Sequence, residues 1–184
     1  MKNPGILIIT LIMIAILSIA CPSHGAAARG SGEREIVVGA GSSLHGGLAS
    51  RQVLISPALS TQPTRQPSLR LRLEGNLELI HYDGKLTTIA GIAPMIRVYL
   101  VPGRDRGLFV EGGVGVNVKS RKTIRERELG GSLIFSPSLG AGYAFSERRH
   151  PAALSIRYRH LSNGGLYSEN RGFDSWYGLI SIGF

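Results

Sequence analysis

The chain has 184 residues and carries 21 lysines and arginines against 12 acids, for a formal net charge of +9. Its single cysteine excludes a disulfide framework, and its length suits one domain. Basic residues are spread singly through the chain instead of forming blocks, so nucleic acid is a poor partner, and anionic lipid or polysaccharide a better one.

Met1-Lys2-Asn3 precedes an apolar run from Gly5 to Ala20, and small residues from Gly25 to Ala28 would permit cleavage by a signal peptidase. Residues 1–25 are therefore expected to be a signal peptide and 26–184 the mature domain. A transmembrane anchor is the competing reading, but an apolar core of about sixteen residues is short for a bilayer span of roughly 20. Cys21 lies in this segment behind Ser18-Ile19-Ala20, a poor lipoprotein box, and its lipidation stays open. The leader removes only Lys2 from the charge count, so the mature chain remains strongly basic.

Along the mature chain the apolar residues alternate and no helical period persists. Segments about 35–44 and 52–60 come first. The clearest follows at 69–79, with Leu69, Leu71, Leu73, Leu77 and Leu79 on one face and Arg70, Arg72, Glu74, Asn76 and Glu78 on the other. A weaker segment spans 89–101. Segment 108–119 sets Leu108, Val110, Val114, Val116 and Val118 against Glu111, Asn117 and Lys119. In 133–145, Leu133, Phe135, Leu139, Tyr143 and Phe145 oppose the small residues Ser132, Ser136, Ser138, Gly140 and Gly142, which suit a crowded barrel interior. Segments 153–163 and 174–184 complete the set. Turn signals separate them at Gln62 to Pro67, Tyr82 to Lys85, Pro102 to Gly107 and Ser146 to Pro151.

Eight segments of about ten residues, apolar on one face and polar or small on the other, form the signature of a transmembrane β-barrel. A soluble sandwich or lipocalin alternates too. Two features favour the membrane form. The inward charges Arg70, Arg72, Glu74, Glu78, Arg97, Glu111, Arg157 and Arg159 are too many for a dry core, where unpaired charge is costly. Residues 176–184 also alternate to a final Phe184, resembling the last strand of bacterial outer-membrane proteins. The expected fold is all-β, an eight-stranded antiparallel transmembrane β-barrel of the bacterial outer membrane.

His160 and Ser162 are the chemistry-bearing pair. Two apart on a strand, they project from one face about 7 Å apart along the chain. That face otherwise carries Leu154, Ile156 and Tyr158, while Ser155, Arg157 and Arg159 take the other. A serine hydroxyl is a poor nucleophile until an imidazole takes its proton, and the imidazole needs a third group to hold its tautomer. Asp174 and Glu169 are the nearby carboxylates. The following loop carries Asn163, Gly164, Gly165, Asn170 and Gly172, which could supply oxyanion donors. A hairpin approach with an interfacial histidine is the plain alternative. His45, His81 and His150 are isolated in sequence, so no metal cluster appears and no cofactor is implied.

The run His160-Leu161-Ser162-Asn163-Gly164-Gly165, followed by Asn170-Arg171-Gly172-Phe173-Asp174, resembles the C-terminal signature of the lipid A 3-O-deacylase (PagL) family. The resemblance implies an eight-stranded outer-membrane serine esterase that removes the 3-O-linked acyl chain of lipid A. It implies His160 as general base, Ser162 as nucleophile, and Asn163, Gly165 and Asn170 around the oxyanion or positioning the substrate. The acid at the family's spacing is Asp174, where the family usually has Glu; Glu169 offers the usual type at another spacing. A packed eight-strand lumen cannot admit a many-tailed lipid, so the substrate would lie against the outer wall. Arg121, Lys122, Arg125 and Arg127 could contact lipid A phosphates or form a solvated loop. The competing classes are a non-catalytic structural or adhesion barrel and a periplasmic lipocalin-like binder. Partners are then lipopolysaccharide and outer-membrane lipids, with a homodimer left open.

Overall fold

The structure is a computed structural model that describes residues 33–44, 50–63, 68–101, 106–145 and 152–184. The expected signal segment with Cys21, and both His45 and His150, lie outside the described residues. Eight long strands are β1 (Glu33–Ser43), β2 (Arg51–Thr61), β3 (Leu69–Tyr82), β4 (Lys85–Tyr99), β5 (Gly107–Lys119), β8 (Leu133–Ala144), β9 (Ala152–Leu161) and β10 (Phe173–Gly183). Between β5 and β8 a small hairpin, β6 (Thr123–Ile124) and β7 (Arg127–Glu128), forms its own two-stranded sheet.

The long strands pair antiparallel in the order β1-β10-β9-β8-β5-β4-β3-β2, and β1 also pairs with β2, closing a barrel without free edges. The strands match the alternating segments closely, with two extensions. β3 runs on to Tyr82 and β4 begins at Lys85, because Asp83 and Gly84 (φ 47° and 68°) make a two-residue turn that pairs Tyr82 directly with Lys85.

The barrel is apolar outside and charged inside. Ile92, Ile96, Leu139, Leu154 and Ile156 are exposed on the outer wall, whereas Arg72, Glu74, Arg97, Glu111, Arg157 and Arg159 are buried in the lumen. That order suits an exterior solvated by hydrocarbon. The lumen is layered. At one end Tyr99, Phe109, Ala144 and Ala153 cluster, with the Arg97 guanidinium 4.0 Å from the Phe109 ring centre. Gly142 lies inside here because a Cβ would sit 2.6 Å from the edge of that ring.

In the middle, Arg157 bridges Glu74 (2.7 Å) and Glu111 (2.6 Å), Arg97 meets Glu111 (2.9 Å), and Arg72 reaches Glu35 (2.9 Å), Glu74 and Glu111 (3.0 Å each). Three arginines thus neutralise three glutamates where solvent does not screen them. At the other end Ile80, Ile89, Ile134, Leu161 and Phe173 join Ile124 and Leu129 of the 120–132 loop in an apolar plug. Read from the sequence as a loop at 119–128 that could contact lipid A phosphates or stay solvated, this segment carries Ile124 and Leu129 into the mouth of the barrel, where both are buried.

Candidate active site

β9 and β10 are neighbours in register, so His160 lies directly opposite Asp174. Directly opposed residues in an antiparallel pair share a face, and here it is the outer wall. His160 Nδ1 lies 2.6 Å from Asp174 Oδ1, and the Tyr158 hydroxyl donates to the same oxygen at 2.5 Å. A carboxylate at Nδ1 favours the tautomer that donates from Nδ1, which leaves Nε2 on the side of the ring away from Asp174. Both side chains are partly accessible, at 35% for His160 and 18% for Asp174.

Tyr158, read from the sequence as one more apolar wall residue, therefore has a polar role as well, because it holds the carboxylate that holds the histidine. Its position two residues before His160 on the same face was the available signal. Its ring also packs on Trp176 of β10, with centroids 5.5 Å apart. Glu169, the other candidate acid, is exposed in the following loop, and no hydrogen bond or ion pair joins it to His160 among the described residues.

Ser162 follows the last residue of β9 and keeps the strand's alternation. Its N–H donates to Phe135 O (3.1 Å) and its carbonyl accepts from Phe135 N (2.7 Å), which fixes the backbone next to β8. By that alternation Ser162 takes the same outer face as His160, and among the described residues no hydrogen bond joins the two side chains. Asn163 points inward and is fully buried. Its Nδ2 donates to the carbonyls of Leu129 (3.2 Å), Tyr167 (3.3 Å) and Glu169 (2.7 Å), and its Oδ1 accepts from Gly165 N (2.8 Å). Asn170 Oδ1 in turn accepts from Asn163 N at 3.0 Å. The three candidate positioning residues thus form one network that shapes the 162–172 loop.

The loop returns to β10 through Gly172, whose φ of 61° is left-handed and whose absent Cβ would lie 2.8 Å from His160 Cε1. The ring therefore rests on bare backbone. Arg127 of β7 secures this point by donating to Arg171 O (2.6 Å) and Gly172 O (3.3 Å), while Arg171 N donates to Glu128 O (3.1 Å). In sequence Arg127 groups with the loop's other basic residues, and nothing local reveals a partner 44 residues away.

Further down the same wall, Ala141 of β8 and Gly178 of β10 flank Ile156 in register. Small residues beside a large one leave an open furrow of about 530 Å³, bounded by Tyr143, Leu154 and Ile180. It presents mostly apolar side chains, and the packed Tyr158 and Trp176 rings lie between it and the His160–Asp174 pair.

The protein is thus a barrel of the membrane type with a hydrogen-bonded His160–Asp174–Tyr158 cluster on its outward wall. The family model described as lipid A 3-O-deacylase (PagL) matches residues 53–182, and the chain belongs to that family. A lipid A deacylase PagL of Pseudomonas aeruginosa is 34% identical over 79 residues, covering 43% of this chain and 44% of that protein. Its counterpart in Bordetella bronchiseptica is 27% identical over 66 residues, covering 36% and 35%. The matched stretches span less than half the length of either relative. A solved structure described as the crystal structure of the outer membrane enzyme PagL shares the fold, with a TM-score of 0.65 at 20% identity over 80% of this chain and 97% of that one.

Proposed function

We propose that this protein is a lipid A 3-O-deacylase of the bacterial outer membrane, a serine esterase whose triad is Ser162, His160 and Asp174. The observation that carries the reading is the 2.6 Å contact between His160 and Asp174 on an apolar outer wall, in a chain of this family. Polar groups facing hydrocarbon cost free energy unless they sit at the head-group level and act there.

Ser162 Oγ attacks the ester carbonyl of the 3-O-linked chain while its proton passes to His160 Nε2. Asp174, held by Tyr158, stabilises the resulting imidazolium. Collapse of the tetrahedral intermediate breaks the bond to the sugar oxygen, which leaves with the proton from His160. Water then attacks the acyl-enzyme, again giving a proton to His160, and the fatty acid departs as Ser162 recovers its own. Asn163, Gly165 and Asn170 act by shaping the loop beside the oxyanion. The acyl chain lies in the furrow beside Ile156, so the substrate never enters the lumen, which side chains already fill. The site is at the end of the barrel with the 120–132 and 162–172 loops, and longer loops face the cell exterior.

Mass spectrometry of lipid A from Gram-negative cells expressing the wild type or Ser162→Ala tests the proposal. Loss of one hydroxyacyl mass only with the wild type is expected. Unchanged lipid A in both, with the barrel folded in the outer membrane, would leave a scaffold without catalysis.

A further inference from the structure

The hairpin that plugs the barrel also builds a second cavity, away from the β9–β10 seam. It measures about 560 Å³ and opens at the loop end between the β3–β4 turn and residues 121–126. Its floor is Ile80 and Ile124, members of the apolar plug, so nothing entering here passes into the lumen. Its walls carry four cations, Lys85, Arg121, Lys122 and Arg125, against two acids, Asp83 and Glu126. Just beneath, the buried Lys119 ammonium rests on the backbone carbonyls of Lys122 (3.3 Å), Gly130 (3.1 Å) and Gly131.

Two of the cations are positioned in advance. Arg121 Nε donates to Leu86 O at 2.9 Å, which orients the guanidinium. Arg125 lies with its guanidinium 4.4 Å from the centre of the Tyr82 ring, on a backbone held at φ 57°. Such a left-handed non-glycine conformation costs free energy and persists where the surroundings impose it. The contrast with the lumen is informative: there three arginines meet three glutamates, whereas the mouth keeps an excess of positive charge. Like charges gathered in a concave site repel one another unless an anion joins them.

We propose that the mouth of the barrel is a phosphate-monoester site, filled by the phosphorylated sugar head group of a lipid in the surrounding leaflet. Arginine forks suit phosphate oxygens, and lysines add point charge around them. The volume accommodates one phosphorylated sugar unit, the size class of small-ligand pockets. In the orientation proposed above, the head-group level of the membrane meets the barrel at this end, where the cavity opens. The site does not depend on the hydrolysis proposed above.

The test uses the purified barrel in zwitterionic detergent, carrying Ser162→Ala so that no turnover contributes heat. It is titrated with lipid A, with lipid A stripped of its phosphates, and with inorganic phosphate. Lipid A is expected to bind at least about ten-fold more weakly to the triple variant Lys85→Gln/Arg121→Gln/Lys122→Gln, the scale of losing charge-assisted hydrogen bonds. The phosphate-free lipid should bind both proteins alike. Competition by inorganic phosphate would show that free phosphate also fills the site; its absence, with the lipid difference intact, would assign the site to lipid-borne phosphate alone. Heat-modifiable migration on gels verifies that the variant is folded. A folded triple variant that binds lipid A as tightly as its parent would overturn the proposal.

Discussion

Replacing Gly172 by alanine would test whether the seat of the His160 ring governs the rate. Two effects arise from one methyl group. The backbone there is left-handed at φ 61°, which a side chain tolerates at a cost of about 1–2 kcal/mol. The new Cβ would also lie 2.8 Å from His160 Cε1, where ordinary contact begins at 3.4 Å. The ring must therefore recede by about 0.6 Å, and since a misplacement of about 1 Å can cost 10²-fold, kcat should fall about ten-fold. KM should barely move, because the furrow is untouched. Gly84→Ala is the control: its φ of 68° gives a similar backbone cost, but nothing lies within 4 Å of the added methyl. Both proteins would be assayed for release of fatty acid from lipid A in micelles, with folding checked in parallel. Equal kcat in the two folded variants would refute the claim that bare backbone beneath the ring sets its position.

In the lumen, Arg157→Leu leaves Glu74 and Glu111 without their shared partner, both with fully buried side chains, and should cost about 3–5 kcal/mol in urea unfolding from micelles. Removing Glu74 as well restores the charge balance, so Arg157→Leu/Glu74→Leu should regain more than half of the loss; a double variant no better than the single would contradict the three-to-three pairing. On the wall, a Cβ at Gly178 meets no neighbouring atom within 4 Å, so Gly178→Leu should fold normally while its side chain extends into the furrow. Its KM for long acyl chains should rise several-fold with short chains unaffected, and an unchanged chain-length profile would remove the furrow from the substrate path.

Much of this was legible in the chain. In β3 the leucines from Leu69 to Leu79 turn outward and Arg70, Arg72, Glu74 and Glu78 turn inward, as their alternation required. The same rule carried His160 and Ser162 to one face, since it needs only the two-residue period of an extended strand. Asp174 could be placed on that face by parity, but its contact with His160 depends on the register between β9 and β10. At 119–128 the chain reads as a basic loop with no packing of its own, for a similar reason. Ile124 and Leu129 are spaced like ordinary loop apolars, and only the open mouth of a closed barrel gives them a core to join.

The eight long strands, their faces and the residue types on the outer wall follow from the chain's local pattern, because backbone geometry makes side-chain direction a local property. The folded barrel alone sets which charges neutralise one another in the lumen, that Tyr158 braces Asp174, that Arg127 fastens the return of the 162–172 loop, and that the mouth stays positive. Each of these joins residues distant in the chain, and their distances are set by the closure of eight strands into one ring.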